Sequence, residues 1–215
     1  RHYQEHTVKY LEKRCVNQHG LLLFHNMGTG KTITATAWLI NRKKVYTSPS
    51  SSVALTTKRR RSTGGNARPS MLRMSSKAEK ESDYTFQRVP TENRPFKYLI
   101  ICPETIRNSW DKTAVKMGFD LDSTRVWNYE RFFGKCQSGE LLQEVEGANV
   151  IFDEAHHLCG LMRADEMKYY TRIMKSLRKT DKLLLLTGTP EHKYRSDFMI
   201  LVNVVAGSNR FPVND

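Results

Sequence analysis

The chain has 215 residues, 39% of them apolar and 27% charged, enough for one well-buried domain. No run approaches the roughly 18 apolar residues of a membrane-spanning helix, and the polar start RHYQEHTVKY does not resemble a secretory leader. The formal net charge of +13 suggests nucleic acid, but ten Lys or Arg against Glu79 alone put +9 of it between Lys43 and Lys80, so it defines no groove elsewhere.

In chain order, GLLLF (20–24) is a short apolar run with the length of a buried strand. The loop HNMGTG follows, and a helix is predicted from Lys31 to Asn41. Residues 43–96 are rich in Ser, Thr, Lys and Arg, including KRRR at 58–61, and follow neither a helical nor a strand period. Such a segment cannot bury enough apolar surface to offset its ordering entropy, so a largely disordered basic insertion is expected. It is read either as a solvated linker or as a nuclear-import or nucleic-acid element.

KYLIIC (97–102) predicts a second strand and residues 104–117 a helix. TRVWNYE (124–130), NVIF (149–152) and KLLLLT (182–187) are three further strands, the last two separated by the helical RADEMKYYTRIMKSLRK. Short strands apolar on both faces with helices between them imply an α/β fold: a mostly parallel sheet with helices on both faces. Residues 1–42 and 97–215 form this domain, and 43–96 is the insertion.

The four cysteines (Cys15, Cys102, Cys136, Cys159) lie far apart and form no C-x-x-C pair. They read as reduced thiols of an intracellular compartment, whether cytoplasm, nucleus, viral factory or virion. With the seven histidines they make no metal set.

The chemistry concentrates at three strand ends. Strand, loop and helix in LLLF–HNMGTG–KT form either a phosphate cradle or a plain glycine turn. As a cradle, Met27, Gly28, Thr29 and Gly30 wrap the phosphates, Lys31 reaches the β- and γ-phosphates, and the Thr32 hydroxyl ligates Mg²⁺. His25 stands where G-x-x-x-x-G-K-[ST] has its first glycine. In VIFDEAHH (150–157), Asp153 and Glu154 fall at the carboxyl edge of the sheet, where ligands bind. Asp153 would hold Mg²⁺ through its water shell, and Glu154 would orient or deprotonate the attacking water. In LLLLTGTP (183–190), Thr187, Gly188 and Thr189 form a turn whose hydroxyls are placed to bond the acidic motif and sense the nucleotide.

MGTGKT, DEAH and TGTP, in this order, resemble motifs I, II and III of superfamily 2 helicases and translocases. HYQEHTVKYL resembles the element whose glutamine, here Gln4, reads adenine in many members. LIICPETIRNSW (99–110) is similar to motif Ia in its Snf2-like form, and VWNYERF to the next Snf2-like strand. The H-x-MGTGKT form and SDFMILVNVVAG look most like the helicase-type ATPases of large cytoplasmic DNA viruses. The resemblance implies a RecA-like first lobe that hydrolyses ATP with Mg²⁺ and moves on DNA or RNA, DNA favoured. His156 would couple hydrolysis to the track, and Pro103, Glu104 and Thr105 would touch its phosphates without reading sequence.

Three features depart from the family. The insertion is unusually long, EHK with Lys193 follows TGTP where an Asn or Gln is common, and motifs IV to VI are missing before Asp215. The second lobe, which in the family supplies an arginine to the transition state, is therefore expected outside this chain, and the lobe alone is expected to be weakly active. The rival reading is a non-catalytic nucleic-acid-binding or scaffold module on the same fold. A GTPase would need a guanine-reading N-K-x-D, which the sequence lacks. Trp110 is expected to pack between helix and sheet, His157 to be an exposed bystander, and Tyr169 and Tyr170 to be half-buried.

Overall fold

The computed structural model of the chain describes residues 2–15, 18–26, 28–47, 95–163, 167–189 and 195–212. Five strands run parallel in one sheet: β1 (Gly20–Phe24), β2 (Tyr98–Ile101), β3 (Val126–Trp127), β4 (Asn149–Asp153) and β5 (Lys182–Thr187). Their spatial order is β1-β5-β4-β2-β3. Side chains alternate across a strand, so the apolar runs supply two cores at once. Leu99, Ile101, Val150, Phe152, Leu183 and Leu185 point to one face, while Ile100, Ile151, Leu184 and Leu186 point to the other.

Helices cover both faces. On one lie α1 (His2–Cys15), α2 (Lys31–Thr47) and α3 (Arg107–Lys116), which contribute Leu11, Trp38, Leu39 and Trp110. On the other lie α4 (Tyr129–Ser138), α5 (Leu141–Val145), α6 (His156–Arg163), α7 (Met167–Leu177) and α8 (Arg195–Ala206). α8 crosses β1 closely: a Cβ at Gly20 would come within 2.8 Å of the Val205 backbone, so only glycine fits there. This is the parallel α/β architecture expected, and a RecA-like domain.

Several boundaries differ from the sequence reading. The strand predicted over 124–130 pairs with β2 only at Val126 and Trp127. Asn128 then caps α4, its side chain accepting from Arg131 N at 2.9 Å, so Tyr129 and Glu130 are helical. The helix predicted at 104–117 opens with a 3₁₀ turn at Glu104–Ile106 before α3. The helix read into 163–179 is α7, and Ala164–Glu166 lie outside the described residues. Tyr169 is half-buried as expected, but Tyr170 is buried, its hydroxyl bonded to Asn209 Oδ1 at 3.1 Å.

The basic segment is also shorter in structure than in sequence. α2 continues through residues 43–47, and Arg42 and Tyr46 both bond Asp181. Arg42 Nε also donates to the buried Asn149 side chain at 3.0 Å, fixing α2 to the starts of β4 and β5. Phe96 packs on Tyr46 with ring centroids 5.3 Å apart. The rest of the segment read as a disordered insertion, residues 48–94, lies outside the described residues. Because its two flanks already touch, replacing those residues with about eight Gly/Ser residues should preserve the fold. Loop-closure entropy alone predicts a gain of roughly 1–2 kcal/mol. Urea denaturation and nucleotide binding check this, and loss of either would show that 48–94 supports the core.

Candidate active site

Parallel strands bring their carboxyl ends to one edge. The register places Phe24 beside Thr187, Leu186 beside Asp153 and Phe152 beside Ile101. The glycine loop, the TGT turn, the DEAH segment and the Pro103 turn therefore stand in that order along one edge.

The loop is held from inside and outside. Gly28 and Gly30 have φ of 74° and 82°, values that L side chains rarely adopt. At Gly30 a Cβ would also meet Gln4 Nε2 at 2.1 Å, so the Gln4 side chain would have to move aside. Thr29 Oγ1 donates to Asn26 O at 2.8 Å, and the Tyr3 hydroxyl donates to Thr29 O at 2.8 Å. Gln4 reaches the same carbonyl at 3.5 Å and lines a groove of about 410 Å³ between α1 and α2, with Val8, Ile33 and Ala37. Met27 lies outside the described residues. His25 keeps φ negative and uses its backbone, its N–H donating to Thr187 O at 3.2 Å. Its carbonyl accepts from Lys31 Nζ at 3.2 Å, so this position does not require glycine.

Lys31 opens α2, and its ammonium lies 3.7 Å from Glu154 Oε1. Thr32, half-buried, follows it. The first and second motifs thus meet at an ion pair. Asp153 is 2% exposed, with Oδ2 accepting from Trp110 Nε1 at 2.9 Å and Oδ1 from Glu154 N at 3.0 Å. Burial, then the Glu154 charge, pushes its carboxyl up to about 6 against the opposing pull of Trp110, the Glu154 N–H and Lys31. Glu154 is the only non-glycine among the described residues with positive φ, at 52°. The buried Tyr129 hydroxyl braces this strained turn, lying 2.9 Å from Asp153 O and 3.2 Å from Glu154 O. Burial drives that phenol well above its ordinary range.

A carboxyl whose folded value is raised from 3.8 to about 6 carries more proton folded than unfolded between those values. The cost of burying its charge is therefore absent well below pH 4, and stability falls as pH rises until that cost is fully present above 6. In Mg²⁺-free buffer, the stability of Asp153→Asn relative to wild type should improve by on the order of 2–3 kcal/mol between pH 4 and 7.5. Urea denaturation at both pH values checks this, and a pH-independent difference would remove Asp153 as the cause.

The third motif meets the second through His156. Its Nδ1 lies 3.4 Å from Thr187 Oγ1, 3.3 Å from Thr189 Oγ1 and 3.5 Å from Glu154 Oε2. Thr189 N donates to Thr187 Oγ1 at 3.1 Å across Gly188, which closes the turn. His157 is exposed, with its ring against Tyr129. Pro103 is half-buried while Glu104 and Thr105 are exposed, and Glu104 pairs with Arg107 at 3.6 Å. Lys193 and Pro190 lie outside the described residues.

Trp110 packs between helix and sheet as expected, but the sequence alone missed that its indole, together with the Tyr129 hydroxyl, holds the DEAH segment. Both carry a polar tip on a large apolar body, which when buried needs a partner. Among the described residues no group of three or more His, Cys, Asp or Glu is placed to hold a metal ion. None of the described helices is long and apolar enough to cross a membrane.

The chain is 23% identical over 212 residues to a protein of Acanthamoeba polyphaga mimivirus assigned as an ATP-dependent RNA helicase, covering 99% of this chain and 34% of the relative. It is 24% identical over 204 residues to the termination factor NPH-I homolog of African swine fever virus, covering 92% of this chain and 24% of the relative. The chain thus spans about a third and a quarter of these relatives' lengths, and the likeness to proteins of large DNA viruses is borne out. Residues 3–118, more than half of the chain, match the model of the SNF2-related domain. The chain therefore belongs to the SNF2-related domain family of helicase-like proteins.

Proposed function

We propose that the chain is the ATP-binding lobe of a nucleic-acid-dependent ATPase that couples ATP hydrolysis to movement along DNA or RNA, DNA favoured. The observation that carries this reading is the meeting of Lys31 and Glu154 at 3.7 Å, beside the buried Asp153 carboxylate at one sheet edge. A glycine loop, a lysine and two carboxylates, delivered by separate elements, suit a phosphoanhydride and an attacking water.

In this reading Gly28, Thr29 and Gly30 cradle the phosphates with backbone N–H groups, and Lys31 donates to the β- and γ-phosphates. Met27 belongs to the same loop by sequence. Gln4, at the mouth of the groove between α1 and α2, reads the adenine edge. Glu154 accepts a proton from the attacking water, and Lys31 and His156 fix the orientation of its carboxylate. His156, Thr187 and Thr189 form a hydrogen-bonded link by which the state of that carboxylate reaches β5 and α6. Pro103, Glu104 and Thr105, at the exposed end of β2, take the phosphates of the track.

The donor set fits Mg²⁺. This ion keeps several waters and phosphate oxygens and asks only one or two ligands of the protein. The hydroxyl of Thr32 at a helix start would supply one directly, and an anionic oxygen of Asp153 would hold the ion through its water shell. When bound, the ion neutralises charge developing on the phosphates.

The test is steady-state Mg²⁺-ATP hydrolysis by the full-length protein without polymer, and with single-stranded DNA, duplex DNA or RNA. Stimulation by DNA is expected. Stimulation by RNA alone would reassign the track, and ATP binding without hydrolysis under any condition would favour a non-catalytic module.

A further inference from the structure

Among the contacts to the DEAH segment is one to the Asp153 carboxylate itself from a buried side chain to which the ATPase reading gives no role. The indole Nε1 of Trp110 donates to Asp153 Oδ2 at 2.9 Å, across 43 positions of sequence. An indole has a donor and no acceptor, so it can serve only an oxygen that offers a lone pair. The other oxygen is held by the N–H of the adjacent Glu154. That contact is local and moves with the turn itself, whereas Trp110 refers the carboxylate to a separate helix.

That helix is well fixed. Trp110 has 0% exposure and sits in the core with Ile100, Cys102, Ala114 and Ile151. Cys102 ends the β2 side of this cluster, bonded through its N–H to Trp127 O at 3.0 Å. The indole therefore has no freedom to follow a carboxylate that rotates, and a rotated Asp153 would lose its bond. Hydrogen bonds to a charged acceptor are the stronger ones, so the preference for one rotamer is substantial.

We infer that Trp110 is a positioning residue for the metal: its indole N–H fixes the orientation in which Asp153 receives Mg²⁺. The inference rests on the reading of the site as a Mg²⁺-ATP site and goes beyond it, since Trp110 touches neither nucleotide nor metal. Partners that orient a metal's ligands typically matter 10- to 100-fold in metal affinity.

The test uses the full-length protein and a fluorescent, non-hydrolysable ATP analogue, titrated with Mg²⁺ and separately bound in EDTA. For Trp110→Phe, the half-saturating Mg²⁺ concentration should rise about 10- to 100-fold, while analogue affinity in EDTA stays at the wild-type value. A residue that only fills the core would alter the two measurements together. Phenylalanine is smaller than indole, so the titration is repeated with benzothienylalanine at position 110, which keeps the bicyclic shape and replaces N–H by sulfur. The same shift in that protein is expected. A half-saturating Mg²⁺ within twofold of wild type there would overturn the inference while leaving the ATP site standing. Absence of Mg²⁺-dependent binding in wild type would overturn the ATP-site reading, and this inference with it.

Discussion

Glu154→Gln will bind Mg²⁺-ATP with close to wild-type affinity while turnover falls about 10²- to 10⁴-fold, the range a positioned general base supplies. Gln has the shape of Glu and can still accept from Lys31 or His156, which lie 3.7 and 3.5 Å from the two carboxylate oxygens. It cannot take a proton from water. Filter binding of labelled ATP and a phosphate-release assay separate the two effects. Retained turnover would remove Glu154 from the base role. Loss of binding as well would show that its charge holds the loop, through Lys31, more than it activates water.

If the proposed reading holds, residues 1–215 alone will hydrolyse ATP about 10³- to 10⁵-fold more slowly than the same residues joined to the proposed second lobe, the value of an arginine supplied to the transition state in related P-loop enzymes. The expectation follows from what this site contains. Among the described residues Lys31 and His156 face Glu154, and the loop and the DEAH turn lie along one edge of a single sheet. The second lobe that the resemblance to superfamily 2 helicases implies would close over that edge and bring the arginine. Initial rates at saturating ATP and polymer decide the matter. Equal rates would mean that residues 1–215 stabilise the transition state unaided.

The sheet was legible because its strands are short, apolar on both faces and bounded by polar punctuation, as KYLIIC and KLLLLT show. Glycines and carboxylates at strand ends were legible for a related reason, since a parallel sheet leaves few places for them except one edge. Boundaries decided by a single cap were not. Asn128 turns an apolar run into a two-residue strand and a helix, and nothing in the periodicity of VWNYERF announces it. The extension of α2 to Thr47 was hidden because basic residues there look solvated, whereas Arg42 and Tyr46 are tied to Asp181, more than 130 positions away. The bonds of Trp110 and Tyr129 to the DEAH segment escaped for the same reason. Their partners are set by which strands become neighbours, and the order β1-β5-β4-β2-β3 is a tertiary fact.

The backbone of Glu154 carries a consequence for anyone who engineers this domain. At φ 52° it occupies a conformation that glycine and asparagine adopt at far less cost than glutamate does. A library sorted only for thermal tolerance would therefore enrich those residues at position 154 and return robust proteins without turnover. Stabilisation of this domain has to begin by holding one unfavourable residue constant.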